Sequence, residues 1–396
     1  MNMNEQMKES EESILHTYNR FPVVFEKGQG CYLYDSEGKE YLDFAAGIAV
    51  NSLGYHYPGY DEALKDQIDK LMHISNLYYN EPIIEAGAKL VKASKMSKAF
   101  FTNSGTEAIE GALKAAKKYA YVRDGHADHE IIAMNHSFHG RSIGALSVTG
   151  TAHYREPFEP LMGGVKFADF NNLESVKAQI TDKTCAIITE VVQGEGGIYP
   201  AKKEFLEGLR QICDEKDIML IFDEIQCGMG RTGHYFAWQA YGVQPDIMTS
   251  AKALGCGVPV GAFVLNEKAA KASLEPGDHG TTYGGNPFVC AAVSKVFDIY
   301  ENDKIIEHVQ EMTPYLEQKL DEIVAKHECA ATRRGMGFMQ GIVIQGRPVG
   351  EVVKAALAKG LLVISAGSDV LRIVPPLVIT KEHIDKMAAI LDECLE

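Results

Sequence analysis

Apolar residues along this chain fall into two alternating patterns, short continuous runs and one-sided helical stripes. The runs are rich in β-branched residues, as buried parallel strands are, and they lie at Ile131–Met134, Ala186–Val192, Ile218–Phe222 and Gly261–Leu265. The stripes have the spacing of one helix face, and two clear examples run from Ala108 to Ala116 and from Phe205 to Cys213. Strands that alternate with helices over roughly residues 98–266 predict an α/β domain with a mostly parallel sheet.

The two ends of the chain predict a second, smaller unit. From about Ile305 onward, helical patterns alternate with the short runs Gly341–Ile344 and Leu361–Ile364, which is typical of an α+β unit. Near the start, Gly30–Asp35 and Gly38–Phe44 have the pattern of a turn-rich hairpin. The sequence therefore predicts an N-terminal segment (1–65) that packs with the small domain, a large domain (66–300) and a C-terminal small domain (301–396).

Composition and charge narrow the possible functions. Lysine and arginine total 39 against 54 acidic residues, and the net charge of −15 argues against binding of a nucleic-acid backbone. The eight cysteines include no C-x-x-C pair, so we expect reduced thiols, no disulfide framework and no metal site. The N-terminus lacks the apolar segment of a signal peptide, and no apolar run approaches the ~18 residues of a membrane span. We therefore expect a cytoplasmic protein without a membrane or nucleic-acid partner.

The segment Asn103–Glu107 is a candidate for binding an anion. It joins a short apolar run to the alanine-rich stripe, and Ser104 with Glu107 has the spacing of a helix-capping box. The free N–H groups at such a helix start, with the hydroxyls of Ser104 and Thr106, also suit a phosphate. Gly105 lets a ligand approach the backbone closely. The segment alone leaves both interpretations open.

Two further residues lie where buried strands are predicted to end. Asp223 follows the run Ile218–Phe222, and ligands of parallel sheets bind at this end of the strands. Lys252 follows a strand-like run and precedes small residues, so burial would lower the pKa of its amine and make it nucleophilic. Considered one at a time, a turn aspartate and a surface lysine are the more common explanations.

Two arginines have small or apolar neighbours, and one glycine-rich stretch suggests another class of enzyme. The guanidinium groups of Arg141 and Arg372 could bind carboxylates in a bidentate manner, although structural ion pairs are the alternative. The stretch Gly228–Gly233 matches G-x-G-x-x-G, which raises a nicotinamide-dependent dehydrogenase. Five residues separate it from the preceding strand, and Asp246 follows too soon for the usual ~20-residue spacing, so a glycine-rich turn is favoured.

These features together suit one cofactor, pyridoxal 5'-phosphate, which needs a phosphate cradle, an amine, a carboxylate for its ring nitrogen and an aromatic neighbour such as Phe138. The motifs are YLDF (41–44), SNLY (75–78), NSGTE (103–107), FHGR (138–141), QGEGG (193–197), FDE (222–224), GMGRTG (228–233), AKALG (251–255) and HGTTYGGNP (279–287). In this order, from about Tyr18 to Ile379, the chain resembles the class III aminotransferases of the type I pyridoxal-phosphate fold. Among them it is most similar to the acetylornithine aminotransferases.

The resemblance implies a large sheet domain, a smaller α+β domain and roles around the cofactor. Lys252 is similar to the lysine that holds the cofactor covalently and moves the substrate proton, and Asp223 to the carboxylate at the ring nitrogen. Gln226 is similar to the residue at the phenolic oxygen of the ring, and Phe138 to the aromatic that stacks on it. The resemblance also implies that Ser104, Gly105 and Thr106 bind the phosphate, with Thr282 reaching across from the second subunit of a homodimer.

The resemblance further implies how substrates are held. Arg141 is similar to the clamp for the α-carboxylate of an ornithine derivative, and Arg372 to the clamp for that of glutamate or 2-oxoglutarate. Glu195 is similar to the switch residue that pairs with Arg372 while the terminal amine reacts, and Thr281 to a residue that touches substrate.

The implied reaction moves the terminal amine between N-acetylornithine and 2-oxoglutarate, within arginine biosynthesis. His139 after Phe138 fits this group better than the ornithine aminotransferases, which have tryptophan there. Ornithine, succinylornithine and 4-aminobutyrate aminotransferases remain alternatives with the same chemistry. A dehydrogenase and a cofactor-free binding protein are the alternatives from other classes.

Overall fold

The structure is a computed structural model that describes residues 2–396. Its helices are α1 (Met3–Ser13), α2 (Ala46–Ala49), α3 (Tyr60–Lys70), α4 (Glu81–Ser94), α5 (Gly105–Asp124), α6 (Ile143–Ser147), α7 (Ala152–Arg155), α8 (Leu173–Gln179), α9 (Lys203–Lys216), α10 (Trp238–Tyr241), α11 (Glu267–Ala272), α12 (Pro287–Asn302), α13 (Ile305–Lys326), α14 (Val349–Ala358) and α15 (Lys381–Leu395).

The strands follow the apolar runs of the sequence. They are β1 (Phe25–Gln29), β2 (Tyr32–Asp35), β3 (Glu40–Asp43), β4 (Lys98–Thr102), β5 (Glu130–Met134), β6 (Val165–Ala168), β7 (Thr184–Glu190), β8 (Val192–Gln193), β9 (Tyr199–Pro200), β10 (Met219–Asp223), β11 (Ile247–Ser250), β12 (Gly261–Leu265), β13 (Ala330–Met336), β14 (Met339–Ile344), β15 (Leu361–Leu362), β16 (Ile364–Ala366) and β17 (Val370–Ile373).

Seven strands form the central sheet, in the order β4-β12-β11-β10-β7-β5-β6. Only β12 runs antiparallel to its neighbours, so the sheet is mostly parallel, as predicted. Every residue of β7, β10, β11 and β12 is buried. Strands covered on both faces read as continuous apolar runs, which explains the pattern in the sequence. The predicted α/β fold class is confirmed.

Helices cover both faces of this sheet, and the predicted stripes are the buried faces of those helices. The apolar residues of α9 pack with Ile187 and Leu220, whereas those of α5 pack with the next residues along the same strands, Ile188 and Ile221. Successive side chains of a strand point to opposite faces, so one sheet separates two hydrophobic layers. This arrangement leaves the carboxyl ends of the parallel strands as the open edge.

Two four-stranded sheets lie outside the central sheet, and one of them joins the two ends of the chain. One has the order β1-β2-β3-β15 and pairs Leu42 in parallel with Leu361, so strands from opposite ends of the sequence lie side by side. The other has the order β13-β14-β17-β16. The boundaries predicted at residues 65 and 300 fall inside α3 and α12, which pack on each other, and the division into domains stays a prediction. No helix among residues 2–396 is long and apolar enough to cross a membrane.

Candidate active site

A cavity of about 510 Å³ lies at the carboxyl edge of the central sheet. Nine of the twelve predicted site residues line it, and they are Ser104, Gly105, Thr106, Phe138, Arg141, Glu195, Asp223, Gln226 and Lys252. They come together because β4, β5, β7, β10 and β11 all end at this edge, and the segments after these strands form the wall. The position matches the rule that ligands of open α/β sheets bind beyond the carboxyl ends of the strands.

Lys252 lies just after β11, in a single 3₁₀ turn, and its side chain faces the cavity. Its backbone has φ of 49°, in the left-handed region that residues other than glycine seldom occupy. Burial disfavours the ammonium form and lowers the pKa of the amine to about 8, although the negative charge of Glu195 opposes this. A far larger fraction of this amine than of an exposed lysine is therefore neutral near physiological pH, which favours its use as a nucleophile or proton acceptor.

Asp223 is the last residue of β10, and three contacts fix its carboxylate. Oδ2 lies 2.7 Å from Nδ1 of the fully buried His139. Oδ1 accepts hydrogen bonds from the Thr249 hydroxyl at 3.1 Å and from the Ile225 backbone N–H at 3.0 Å. Register pairs Asp223 with Glu190 at the end of β7, so two carboxyls lie at adjacent strand ends. Burial, reinforced by the charge of Asp223, raises the pKa of Glu190 well above its usual value.

The N-terminus of α5 opens into the cavity. Ser104 caps the helix by accepting a hydrogen bond from the Glu107 N–H at 3.3 Å. The predicted capping box is only half formed, because Glu107 returns to the backbone N–H and side-chain amide of Asn103 instead of to the N–H of Ser104. The N–H groups of Gly105 and Thr106 have no acceptor within the part of the chain described. These donors at the positive end of a 20-residue helix form a site for an anion.

A hydrogen-bonded network behind this helix start connects it to the FHGR segment. The Thr106 hydroxyl lies 2.8 Å from the Ser142 hydroxyl, which donates to Glu110 at 2.5 Å. A Cβ at Gly140 would approach the Thr106 hydroxyl to 2.4 Å, and φ of 142° at Gly140 also favours glycine. The close approach holds the segment that carries Phe138 and Arg141 against α5.

Three polar residues form a connected group on another side of the cavity. The buried guanidinium of Arg372 binds both oxygens of Glu195, at 2.5 and 3.2 Å, and donates to Oε1 of Gln226 at 3.1 Å. Gln226 in turn donates to Glu195 at 3.3 Å. Burial opposes ionisation of Glu195, but Arg372 outweighs it and holds the pKa of this carboxyl below its usual value. Arg372 does not line the cavity itself and reaches it through Glu195.

Arg141 is the second cationic group of the cavity, and it has no acidic partner among the described residues. Its guanidinium lies 4.1 Å from the centre of the Tyr154 ring and 5.4 Å from that of Phe138. Stacking on aromatic rings orients an arginine while its donors stay available. An anion that enters the cavity therefore meets Arg141 as an open binding group.

Two predicted residues, Thr281 and Thr282, lie outside the cavity of the single chain. The Thr281 hydroxyl accepts hydrogen bonds from Asn103 at 3.2 Å and from the Gly284 N–H at 3.1 Å, so it orders its own loop. Thr282 is exposed on the surface. Within one chain, neither residue meets the ligands of this cavity, and the predicted role of Thr282 depends on a second subunit.

Sequence reasoning missed His139 and Glu190 as parts of the site. His139 lies within the quoted FHGR motif, but its contact with Asp223 joins residues 84 positions apart. Glu190 could have been predicted from the sequence, because the argument that selected Asp223 at the end of a buried strand applies equally to the end of β7. The sequence predicts a strand through to Val192, whereas β7 ends at Glu190, so the predicted boundary places this residue inside the strand.

The residues present fit pyridoxal phosphate. The open N–H groups of Gly105 and Thr106 supply donors for a phosphate, and a Cβ at Gly105 would come within 2.9 Å of Ile225. Lys252 and Asp223 face the same cavity, so an amine and a fixed carboxylate are available to one ligand. Phe138 and Ile225 provide apolar walls for a planar ring.

Residues 14–395 match the protein family described as "Aminotransferase class-III". The chain is 47% identical to the acetylornithine aminotransferase of Clostridium acetobutylicum, over 98% of this chain and 100% of that protein. It is 44% identical to the succinylornithine transaminase of Yersinia pseudotuberculosis, over 94% and 92% of the two chains. The solved structure of the ornithine aminotransferase from Toxoplasma gondii ME49 superposes with a TM-score of 0.95 at 28% identity, and the match covers 100% and 95% of the chains.

Proposed function

Since the chain belongs to the class III aminotransferases, whose cofactor is pyridoxal phosphate, we propose that it moves the terminal amine between N-acetylornithine and 2-oxoglutarate. The products are N-acetylglutamate 5-semialdehyde and glutamate. The similarity to an acetylornithine aminotransferase over the whole chain supports this choice of substrate. The proposal places the protein in arginine biosynthesis in the cytoplasm.

The pairing of Arg372 with Glu195 is the observation that carries the proposal. A cavity with two free arginines would favour dicarboxylates, but here one guanidinium is neutralised and only Arg141 stays open. An acetylornithine molecule has one carboxylate at the end remote from the reacting amine, and Arg141 binds it. When glutamate or 2-oxoglutarate enters, Glu195 swings away, and Arg372 takes the α-carboxylate beside the reacting carbon.

The protein groups around the cofactor have separate tasks. The N–H groups of Gly105 and Thr106, with the Ser104 and Thr106 hydroxyls, bind the phosphate. Asp223 keeps a proton on the ring nitrogen, and His139 and Thr249 hold the carboxylate in place for this. When bound, pyridoxal phosphate supplies a conjugated cationic ring that accepts the electron pair left by a departing proton.

Lys252 moves the proton. Its Nζ would take a proton from the substrate carbon that bears the reacting amine and hold that proton for its return. A pKa of about 8 suits this exchange, because the amine then accepts and releases a proton near neutral pH. Gln226 lies beside Glu195 and Arg372 and binds the phenolic oxygen of the ring.

The proposal includes a homodimer in which each subunit completes the active site of the other. Large apolar side chains are exposed on the segment 71–79 and on the loop before α12, among them Leu77 (87%), Tyr79 (96%) and Tyr283 (62%). Asn76 donates to the Gly284 carbonyl at 2.8 Å, so the two segments form one surface, which also carries Thr282. Exposed apolar patches of this kind mark protein interfaces.

A substrate panel tests the proposed function. With pyridoxal phosphate and 2-oxoglutarate present, we expect kcat/KM to be higher for N-acetylornithine than for ornithine or 4-aminobutyrate. Highest activity on 4-aminobutyrate or ornithine would overturn the substrate assignment. A colourless protein that turns over none of these amines would overturn the proposed activity.

A further inference from the structure

A second cavity, of about 750 Å³, adjoins the first and has no part in the functions proposed above. Glu195 lines both cavities. Tyr154 lines the second cavity, and the guanidinium of Arg141 stacks on the Tyr154 ring. Arg141 itself lines the first cavity. The two spaces therefore share Glu195, and the stacked pair of Arg141 and Tyr154 lies between them.

Arg334, on β13, is an unpaired cation in this second cavity. Its Nε donates to the Gly197 carbonyl at 2.7 Å, and its guanidinium lies 3.6 Å from the centre of the Tyr199 ring. These contacts fix the plane of the group while its terminal nitrogens have no carboxylate within ion-pair distance among residues 2–396. A stacked, half-buried arginine with free donors is a preformed site for a carboxylate.

The chemistry of the substrate directs its acyl group toward this cavity. In an N-acylornithine the acyl amide and the α-carboxylate are attached to the same carbon. If Arg141 binds the α-carboxylate, the acyl group must lie beside Arg141 and Tyr154, where the second cavity begins. An acetyl group ends there, whereas a longer acyl chain extends further into the cavity.

We propose that Arg334 is a specificity-determining residue that binds the terminal carboxylate of a dicarboxylic acyl group, such as the succinyl group of N-succinylornithine. This inference rests on the proposed function, because it uses Arg141 as the clamp for the α-carboxylate. The enzyme therefore accepts both acetylated and succinylated amines, and Arg334 acts on the second class alone.

The carboxylates in the cavity oppose such a ligand to different degrees. Glu195 is paired with Arg372, and Asp169 accepts a hydrogen bond from Asn135 at 2.7 Å. Asp369 has only a weak contact with the neighbouring Ser368 hydroxyl, at 3.5 Å, and forms no ion pair with Arg334. Asp369 thus supplies an unbalanced negative charge, and its removal favours a succinyl carboxylate.

Substitution of Arg334 tests the assignment by comparing two substrates in one protein. We expect Arg334→Gln to lower kcat/KM for N-succinylornithine by about tenfold or more, the usual loss when a charged hydrogen-bond partner is removed, mainly through KM. The value for N-acetylornithine should change far less. Arg347→Gln is the matched control, because Arg347 contacts the Cys394 carbonyl and lies outside both cavities. It should leave both values unchanged.

A second variant is expected to raise kcat/KM for N-succinylornithine. General damage to the fold would lower this value, so an increase cannot come from such damage. We expect Asp369→Asn to raise kcat/KM for N-succinylornithine relative to N-acetylornithine. Three outcomes would overturn the inference. Arg334→Gln could lower kcat/KM equally for both substrates, or it could lower kcat/KM for neither. The third outcome is a wild-type enzyme that neither converts N-succinylornithine nor is inhibited by it. Failure of the wild-type enzyme on N-acetylornithine would instead overturn the proposed function, so the two failures are distinguishable.

Discussion

Lys252 and its neighbours illustrate how single residues acquire their chemistry from position. A lysine at a surface is protonated at neutral pH, whereas this one is enclosed, and burial outweighs the nearby carboxylate of Glu195. Burial also acts on Glu190, but there it favours the neutral form of an acid. The same physical effect thus shifts one amine and one carboxyl of the site toward their neutral forms.

The state of Lys252 can be measured directly. In protein freed of cofactor, labelling of Lys252 by an amine-reactive reagent should rise with pH and be half complete near pH 8, because only the neutral amine reacts. Labelling of exposed lysines should be half complete near pH ~10.4, the ordinary pKa of a lysine side chain. Peptide mass spectrometry gives both midpoints. In Glu195→Gln the midpoint should fall further, since a charge that favours the ammonium is lost. A wild-type midpoint near 10 would contradict the assignment.

Glu195→Gln also separates the two half-reactions. The change removes the charge that neutralises Arg372, so a substrate without a carboxylate beside its reacting carbon now faces an unpaired guanidinium. We expect the single-turnover rate with N-acetylornithine to fall by about tenfold, in line with the loss of a charged partner. The rate with glutamate should stay within a few-fold of the wild type. Equal losses in both half-reactions would show that Glu195 is not a switch.

At this scale the sequence identified residues through strand ends and motifs, but not through contacts. Asp223 was predictable because it directly follows a buried apolar run. The contact of His139 with Asp223 joins different elements, and no local pattern reports it. The capping box shows the same limit, because Ser104 and Glu107 have the right spacing, yet Glu107 binds Asn103.

The start of α5 shows how an element contributes both stability and binding. Its amide dipoles add up over 20 residues, and Ser104 fixes the first turn so that the open N–H groups face the cavity. Other helices are capped in the same manner far from the site. For example, Asn172 accepts a hydrogen bond from the Ser175 N–H at 3.1 Å at the start of α8.

These two caps give a matched comparison. Ser104→Ala and Asn172→Ala should each lower the free energy of unfolding by about 1 kcal/mol, the usual value of a helix cap, as measured by chemical denaturation without cofactor. Only Ser104→Ala should weaken binding of pyridoxal phosphate, because it also removes a hydroxyl from the phosphate site. Unchanged cofactor affinity in Ser104→Ala would place the phosphate elsewhere.

Elements were the most predictable level of this fold. The helical stripe from Phe205 to Cys213 is the buried face of α9, and the run Gly261–Leu265 is β12 without a change of boundary. The order of strands in the sheet was not predictable, because pairing depends on which helices cross which face. The antiparallel direction of β12 has a local cause. The connection from β11 to β12, which contains Lys252, is too short for a crossover helix, and a parallel pair needs such a crossover.

At the scale of the whole molecule, the location of Thr282 outside the cavity leads to a test of subunit sharing. We expect the Lys252→Ala and Thr282→Arg homodimers to be inactive. A hybrid dimer should recover about half of the wild-type activity, because one of its two sites then combines an intact Lys252 with an intact Thr282 from the other chain. Hybrids can be purified with two different affinity tags. An inactive hybrid would show that Thr282 serves its own chain.

The parallel pairing of Leu42 with Leu361 has a consequence for biosynthesis. During translation, the hairpin β2-β3 leaves the ribosome first, but the strand that completes its sheet is made near the end of synthesis. The hairpin must therefore wait with an unpaired edge until the ribosome has almost finished. Nascent chains stalled before residue 360 should remain sensitive to protease at this hairpin, and released full-length chains should not.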